Sequence, residues 1–497
     1  MNLMKLPPHL GRRRLPSILL AASLVAAGGC AQIPDLGPAS TLKPVEQLES
    51  AKSFVAPAAA WPGDHWWQAY GDPQLNTLVE EALRDSPNLE LAQARLRQAG
   101  AAVQGAGAAL MPEVTANAVL TQDKLSYNYL TPRVATPNGW NDYGRATLNL
   151  SWELDFWGKN RAALAAATSE QQSVQAEVAQ TRLILSTSVA SAYAELLHLF
   201  TVRDSAEAAL ALRSTTVDLF RQRHEFGLEN LASVRQVEAR QAAAQAELLM
   251  IEERIALTRN GIAALLGTGP DRGLAISRPT ARLPGADGLP TNLAMDLLGR
   301  RPDIVAARLR TEAAAKRIDQ QKAGFYPSIN LVAFAGYQAL GIDNLNKSGS
   351  DMGSMGPAIS LPIFNTERLQ GQLRGAHAEY GVAVASYNGT LSNALREVAD
   401  VVTSRKALKG ELVSTRTAVA AAGEAHRIVN SRYKGQLATY LDVLTAEDQL
   451  ISAQRSQADM ETRALVLDIA LVRALGGGFQ GPKKLSSTTN TPTEHIS

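Results

Sequence analysis

The feature that most constrains the fold is an internal repeat that covers most of the 497 residues. Its first copy runs from about 73 to 269 and its second from about 290 to 477. In each copy a proline, Pro87 or Pro302, opens a helix-like segment, and another proline follows 25 residues later. Each copy ends in a leucine–glycine pair. Such a chain is expected to fold as two equivalent supersecondary units.

Alternating apolar and polar residues predict two β-strands in each copy. They lie at about 113–122 and 147–157 in the first copy, and at about 328–337 and 357–364 in the second. In the clearest run, Leu150, Trp152 and Phe156 share the apolar parity, whereas Ser151 lies on the polar one. This run covers nine residues, 148–156, which is about the length of a tilted membrane strand with one face toward lipid. Soluble hairpins are the alternative that the pattern alone allows.

Long segments without helix breakers follow each strand pair. Residues 161–226 contain neither glycine nor proline, and no proline occurs from 363 to 481. Sixty-six helical residues span about 99 Å, which indicates a coiled coil or a tunnel wall rather than a globular helix. Apolar residues then recur at spacings of three and four, from Val234 to Leu265 and from Leu441 to Val472. That is the packing period of supercoiled helices, and polar members such as Asp448 suggest a wall that is wet on one side.

The first 29 residues are typical of a bacterial lipoprotein signal peptide. A basic start and a short apolar core at 15–27 are followed by two glycines and the only cysteine, Cys30. We expect Cys30 to carry lipid and 30–60 to form a tether; ordinary secretion with an incidental cysteine is the alternative. Residues 270–289 are predicted to link the two copies, and 478–497 to form a disordered tail.

Motifs for catalysis or metal binding do not occur in the sequence. The seven histidines are not spaced as zinc ligands, and the sequence contains no phosphate-binding loop or nucleophile elbow. The balance of 49 basic and 47 acidic residues gives no sign of a nucleic-acid partner. No stretch after residue 30 approaches 18 uncharged apolar residues, so we expect any membrane crossing to use strands. The sequence therefore predicts no enzyme, cofactor or metal site.

Five dense motifs carry a family resemblance. They are WELDFWGKNR at 152–161, LGRRPDIVAAR at 298–308, FYPSI at 325–329, PAISLPIF at 357–364 and REVAD at 396–400. Together they resemble the TolC-like outer-membrane efflux proteins, in particular their NodT-like lipoprotein branch. The resemblance covers about residues 61–478, with structural repeats at 61–269 and 290–477.

The resemblance implies a mainly α-helical fold with a transmembrane β-barrel part. Strand number alone permits a dimer of eight strands or a trimer of twelve, and the resemblance selects the trimer, with a periplasmic α-helical tunnel. The implied function is a passive exit duct for small toxic compounds, joined through a periplasmic adaptor to an inner-membrane pump. The implied location is the outer membrane, with a lipid anchor. A periplasmic coiled-coil scaffold or adaptor without a pore is the alternative.

The resemblance also places a gate where the long helices turn. The predicted turns are 223–227 and 432–435, each of which ends a proline-free run with a glycine. In the family, the second turn and the following helix line a constriction with a basic–aromatic cluster, a leucine and an aspartate. Arg432, Tyr433 and Leu441 match this pattern, whereas Thr445 occupies the place of the aspartate.

Asp442, three residues before Thr445, is the candidate for the missing carboxylate. Three copies of Asp442 in a trimer would form a ring of negative charge, which favours cations and can pair with Arg432. In the alternative interpretation, Asp442 only caps or solvates the start of a helix.

Overall fold

Two runs of elements with the same order and similar lengths build the chain, which confirms the predicted repeat. The structure, a computed structural model, describes residues 32–49, 52–128, 131–283 and 288–481. The first run consists of α1 (Pro73–Asp85), α2 (Pro87–Ala108), β1 (Glu113–Asp123), β2 (Asn141–Leu154), α3 (Lys159–Glu225) and α4 (Leu231–Leu265). The second consists of α5 (Leu293–Arg300), α6 (Pro302–Ala323), β3 (Ser328–Leu340), β4 (Asp351–Ser360), α7 (Thr366–Lys434) and α8 (Tyr440–Ala474).

Two of the strand predictions need correction. β2 begins at Asn141 and ends at Leu154, so it is shifted toward the loop that precedes it. β4 spans Asp351–Ser360 rather than 357–364, because its backbone pairs with β3 along a segment rich in glycine, serine and methionine that carries little alternation. Leu361 and Ile363 fit the alternation but lie beyond the strand, where Pro362 has no N–H to donate.

The described residues divide into two compact units that do not coincide with the repeat copies. The sheet unit contains 32–41, 97–172 and 308–385, and the hairpin unit contains 42–96, 173–307 and 386–481. Each unit therefore takes segments from both copies. A boundary between copies was the natural division in sequence, but each copy completes its core only with elements of the other.

In the sheet unit, the four strands form one antiparallel sheet in the order β1-β2-β3-β4. The central pair, β2 with β3, joins the two repeat copies, from Tyr143 opposite Leu340 to Leu154 opposite Ile329. Among the described residues, β1 and β4 each pair on one side only. A small core of Phe325, Leu369 and Leu373 lies in this unit next to the half-buried Leu36.

In the hairpin unit, α3 supplies much of the main core. Leu185, Val189 and Tyr193 of α3 pack in a cluster with residues of α1, α4 and α8. One 18-residue window of α3 is long and apolar enough to cross a membrane, but 61% of that window is buried in the fold. We therefore assign α3 as a core helix, and the expectation that strands cross the membrane is unchanged.

Each copy ends with a glycine that the backbone requires. Gly267 follows α4 and Gly476 follows α8, both with positive φ, at 75° and 92°. A Cβ atom on Gly267 would lie 2.8 Å from the carbonyl oxygen of Asp85, and one on Gly476 would lie even closer to that of Arg300. Both glycines therefore let the end of one helix approach the chain just before the proline that starts α2 or α6.

The arginine of the LGRRPDIVAAR motif has a structural role in the hairpin unit. Arg301 is buried, and its guanidinium donates to both carboxylate oxygens of Asp303, at 3.0 and 2.6 Å. It also donates to Glu397 of the REVAD motif at 2.8 Å and to the carbonyl oxygen of Ala474 at 3.1 Å. Two of the motifs that carry the family resemblance therefore meet at one buried cation.

The predicted tether is mostly exposed but makes several contacts with the fold where the structure describes it. In the sheet unit, the carbonyl oxygen of Gln32 accepts a bond from Gln370 at 3.0 Å. In the hairpin unit, Val45 is buried, and Ala58 pairs with Leu289 of the predicted 270–289 linker. Composition predicted a loose tether, and the structure attaches it at these points while leaving Val55 exposed. Cys30 and the signal peptide lie outside the described residues, as does the predicted tail after Gly481.

Candidate channel elements

The strand register places most of the apolar residues of the four strands on one face of the sheet, since residues opposite each other share a face. Leu150 lies between Val114 and Ala333, and Ala333 lies opposite Met355. We call this set the apolar face; its members are Val114, Ala116, Ala118, Leu120, Gly144, Ala146, Leu148, Leu150, Trp152, Leu154, Ile329, Leu331, Ala333, Ala335, Tyr337, Ala339, Gly353, Met355, Pro357 and Ile359. Three polar residues, Gln122, Asp142 and Asp351, also lie on this face, toward the end of the sheet where the loops 124–140 and 341–350 leave.

The opposite face, which we call the polar face, carries mainly hydroxyl, amide and charged side chains. On β2 these are Arg145, Thr147, Asn149, Ser151 and Glu153. Trp152 lies on the apolar face as its parity predicts, and its indole N–H donates to the carbonyl oxygen of Leu110 at 3.0 Å. Phe156 lies beyond the end of β2, so the parity argument does not extend to it.

Aromatic side chains gather where β2 ends and β3 begins. Trp157 stacks on Tyr326 with ring centroids 4.7 Å apart, and its indole N–H donates to the carbonyl oxygen of Pro327 at 2.8 Å. Phe156, two residues after β2, and Phe364, four residues after β4, are both exposed. Aromatic residues at the end of an apolar strand band are typical of the girdles of outer-membrane barrels.

The two predicted turns join α3 to α4 and α7 to α8, and both use one backbone design. In turn one (226–230), Leu228 N–H bonds to the carbonyl of Arg223 and Gly227 N–H to that of His224. In turn two (435–439), Leu437 N–H bonds to Arg432 and Gln436 N–H to Tyr433 in the same way. This Schellman pattern requires a left-handed residue after the helix.

That left-handed residue is a glycine in turn one but not in turn two. Gly227 has a φ of 70° in turn one, but Gln436, not Gly435, has the positive φ of 64° in turn two. The glycine at 435 ends the helical run in sequence, but the geometry of the turn begins one residue later. Turn two therefore keeps a non-glycine residue in a strained conformation, which costs on the order of 1 kcal/mol.

Asp442 caps helix α8. Its carboxylate accepts from the backbone N–H of Thr439 at 2.8 Å and from the Thr439 hydroxyl at 2.7 Å, and its own N–H donates back to that hydroxyl. These bonds to Thr439 hold the pKa of Asp442 below its usual value, and Arg432 contributes less. The arrangement of Asp442 therefore corresponds to the capping alternative. Arg432 donates to the carbonyl oxygen of Leu437 at 3.3 Å rather than to Asp442.

The other predicted gate residues lie around this cap. Leu441 is 61% exposed, next to Asp442 in the first turn of α8. The Tyr433 ring lies 5.7 Å from that of Tyr440, which in turn packs 4.3 Å from Phe220 of α3. Thr445 is exposed, and its hydroxyl donates to the carbonyl oxygen of Leu441.

A charged cluster farther along α8 was missed by the sequence analysis. Glu447 is buried, with one carboxylate oxygen 3.7 Å from Arg213 of α3. The adjacent Asp448 is bound at 3.2 Å by both Arg213 and Arg240, the latter from α4. Burial raises the pKa of Glu447, against the opposing pull of Arg213. The only signal in sequence was Asp448 as a polar member of an apolar seam.

Among the described residues, no group of three or more histidine, cysteine, aspartate or glutamate side chains is arranged to hold a metal ion. His198 pairs with Asp459 at 3.2 Å, which is a contact between two helices of the hairpin unit. The described geometry offers a two-faced sheet, two helix turns and a buried charged cluster. A sheet with one apolar and one polar face, together with long helical hairpins, fits the class of outer-membrane channels built from strands and helices.

Comparison with known proteins agrees with that class. The family model described as outer membrane efflux protein matches residues 78–268 and 293–477, one segment in each repeat copy. The chain therefore belongs to the outer membrane efflux protein family. Within this family it serves as an outer-membrane channel for efflux.

Curated relatives and solved structures extend the match over most of the chain. The multidrug resistance outer membrane protein MdtP of Escherichia coli K12 is 31% identical over 95% of this chain and 98% of its own. The fusaric acid resistance protein FusA of Burkholderia cepacia is 36% identical over 72% of this chain and 68% of its own. The crystal structure of the outer membrane protein VceC from Vibrio cholerae is 49% identical, with a TM-score of 0.80, over 84% of this chain and all of VceC.

Proposed function

We propose that three copies of this chain close a twelve-stranded barrel in the outer membrane, with the apolar face toward lipid and the polar face toward a water-filled duct. The observation that carries this proposal is the register-matched apolar face on a sheet whose two outer strands pair on one side only. An open strand edge in hydrocarbon leaves backbone groups unpaired, so the edges must meet those of other copies. Cyclic closure satisfies every edge, and family membership favours twelve strands over eight.

The height of the apolar face supports this placement. On β2 it runs from Gly144 to Leu154, ten residue steps of about 3.3 Å each. At the tilt of about 40° found in such barrels, this corresponds to about 25 Å, which matches their apolar band. The acidic rim at Asp142 and the aromatic residues Phe156 and Trp157 then fall at opposite boundaries.

The duct is expected to be passive and to work with partners. We propose that a periplasmic adaptor and an inner-membrane pump supply the cargo and the energy, and that the chain has no enzymatic activity of its own. Two curated relatives are named for resistance to multiple drugs and to fusaric acid, which supports small toxic compounds as the cargo class. The long helices α3 and α7 are proposed to continue the duct as the wall of a periplasmic tunnel.

The proposal is tested by assembly and conductance with a matched pair of variants. Wild-type protein should form heat-resistant trimers in outer-membrane fractions and discrete channels in planar bilayers. Leu150→Arg places a charge on the apolar face and should cost about 2–4 kcal/mol near mid-membrane, which depletes the trimer. Ser151→Arg, one residue away on the polar face, should assemble. Absence of channels from pure trimers would favour the pore-less scaffold, and equal assembly of both variants would show that the facing is wrong.

The lipid anchor is a separate part of the proposal. The small residues before Cys30 support its acylation, and the sheet unit starts to pack two residues later, at Gln32. Cys30→Ala should abolish lipidation but allow trimers, because the barrel has far more contact with lipid than one acylated residue. Mass spectrometry of the mature wild-type protein tests whether Cys30 is acylated. An unmodified Cys30 would contradict the proposed lipid anchor.

We propose that Arg432, Tyr433, Leu441 and Asp442 close the duct at turn two. The exposed Leu441 and the charge of Asp442 support this role, although Asp442 also caps α8. Leu441→Ala should raise single-channel conductance. Asp442→Asn keeps an oxygen that can accept from Thr439 but removes the charge, so it should lower cation selectivity without loosening the helix. Unchanged conductance and selectivity in both assembled variants would place the gate elsewhere.

A further inference from the structure

An arginine stacks on an aromatic ring within the polar face of the sheet. The guanidinium carbon of Arg145, on β2, lies 5.8 Å from the ring centroid of Phe334 on β3. The register places Arg145 opposite Gln338 and Phe334 opposite Asn149, so the two side chains meet diagonally across the strand pair. Both are half-buried, which leaves part of the guanidinium and part of the ring accessible.

Arg145 has no carboxylate partner among the described residues. Within the strands, the polar face carries only four charged side chains: Glu113, Asp123, Arg145 and Glu153. Glu153 is occupied by Lys159, whose ammonium lies 2.7 and 2.9 Å from its two oxygens. Glu113 and Asp123 lie at opposite ends of β1. A cation held by a ring rather than by an acid keeps its capacity to bind an anion.

We propose that Arg145 and Phe334 form a selectivity contact for planar aromatic carboxylates on their way out of the duct. This inference rests on the proposed function, in which the polar face lines the duct. The guanidinium supplies paired N–H donors for the carboxylate, and Phe334 supplies an apolar surface for the aromatic ring. Three copies would place three such contacts around one level of the duct. Each contact is weak and exposed to water, as passage requires, since a tightly held anion would block the channel.

The test measures single channels of the assembled trimer in planar bilayers. The probes are 2-naphthoate, the non-aromatic cyclohexanecarboxylate, and chloride. In the wild type, 2-naphthoate should interrupt the current more often than cyclohexanecarboxylate. Arg145→Gln should reduce the chloride-to-potassium permeability ratio by roughly two- to fivefold and remove the naphthoate interruptions. Phe334→Leu should leave the chloride ratio near the wild-type value but make the two organic probes equivalent.

Two further variants keep the inference falsifiable. Lys347→Gln removes a positive charge from the loop between β3 and β4, where the Lys347 ammonium donates to the side-chain oxygen of Asn344. It should change neither measurement; a shift as large as that of Arg145→Gln would overturn the inference in favour of general charge at the mouth. Arg145→Lys should keep the wild-type chloride-to-potassium permeability ratio and lose the naphthoate interruptions. If Arg145→Gln fails to assemble, Arg145→Lys and Phe334→Leu decide the question.

Failure of the inference differs from failure of the proposed function. A wild-type trimer that conducts, with unchanged selectivity in every variant, overturns only the role of Arg145 and Phe334. A pure wild-type trimer that does not conduct overturns the duct, and the selectivity contact falls with it.

Discussion

Glu238 and Glu447 occupy equivalent places in the two repeat copies, 209 residues apart like the end glycines Gly267 and Gly476. Glu238 of α4 lies on a surface where Arg221 and Arg235 bind it at 2.7 Å, and their hydrogen bonds lower its pKa. Glu447 of α8 is buried, and burial raises its pKa. The same residue type therefore serves opposite electrostatic roles because the packing around it differs.

The turns beside these glutamates differ in a related way. Both have the same Schellman backbone, but turn one uses a glycine for the left-handed residue and a simple Asn230 cap. Turn two uses Gln436 and a reciprocal capping box, and Tyr440 beside it packs on Phe220 of α3. Turn two thus combines a residue in a strained backbone conformation with more local contacts than turn one has. Strained residues are frequent in regions that switch between two states. The repeat thus supplies an internal control for each feature of the proposed gate.

The largest expected effect comes from the buried cation that only the second copy has. Arg301 is equivalent to Ser86, each immediately before the proline that starts a helix. Arg301→Ala removes the guanidinium that donates to Asp303, Glu397 and the Ala474 carbonyl. It should cost about 2–3 kcal/mol of stability. Ser86→Ala keeps the backbone bonds that Ser86 makes to Leu89 and Glu90, so it should cost far less. Thermal unfolding in detergent compares them, and similar losses would contradict the role assigned to Arg301.

The helix caps should show a smaller difference. Thr439→Ala removes the hydroxyl that accepts from the Asp442 N–H and donates to the Asp442 carboxylate, while the N–H of residue 439 still donates to Asp442. It should destabilise the start of α8 by about 1 kcal/mol. Asn230→Ala removes the single cap of α4, whose oxygen accepts from Ser233 at 2.9 Å, and should cost somewhat less. The hydrogen-exchange rates of the backbone amides in the first turns of α4 and α8 measure the stability of each helix start separately. Greater fraying at α4 than at α8 would reverse the predicted order.

The left-handed residues should respond in opposite directions. Gln436→Gly relieves about 1 kcal/mol of backbone strain but adds unfolded-state entropy, for a net gain of about 0.5 kcal/mol. Gly227→Gln introduces the same strain in turn one and should lower stability by a similar amount. Unfolding midpoints of the pair check this. A loss in both variants would mean that Gln436 makes side-chain contacts worth more than the strain.

The smallest expected effect is a change of slope with pH. The raised pKa of Glu447 means that the folded state holds its proton more tightly than the unfolded state, so stability falls as pH rises from 4.5 through the folded pKa. Glu447→Gln should remove this loss and raise the unfolding midpoint more at pH 8 than at pH 5. Glu238 has a lowered pKa, so its contribution is present above 4.5 and lost as pH falls through the folded pKa. Glu238→Gln should therefore be neutral or slightly destabilising at pH 8, and parallel pH profiles for both variants would contradict the comparison.

Sequence analysis predicted the repeat, the long helices and strands β1 and β3, because proline positions and apolar periodicity are local signals. It placed β2 a few residues too late in the chain. It misplaced β4, whose pairing with β3 depends on backbone hydrogen bonds that leave no pattern in a segment of glycine and serine. It missed Glu447 because burial of a carboxylate depends on three helices that are distant in sequence. The residues of turn two were found only through the family resemblance, and their roles as gate residues stay a prediction.

The pairing of β2 with β3 has a consequence for how such a protein can change over evolutionary time. Because each repeat copy contributes one hairpin, the connections 124–140 and 341–350 are separate stretches of chain that leave the same end of the sheet. Neither connection contributes a residue to the four strands. If that end faces the outside of the cell, the chain exposes two independently variable epitopes to phages and antibodies while the paired strands beneath stay constant. Duplication of the repeat would then have provided a second variable surface loop as well as the second strand pair of the sheet.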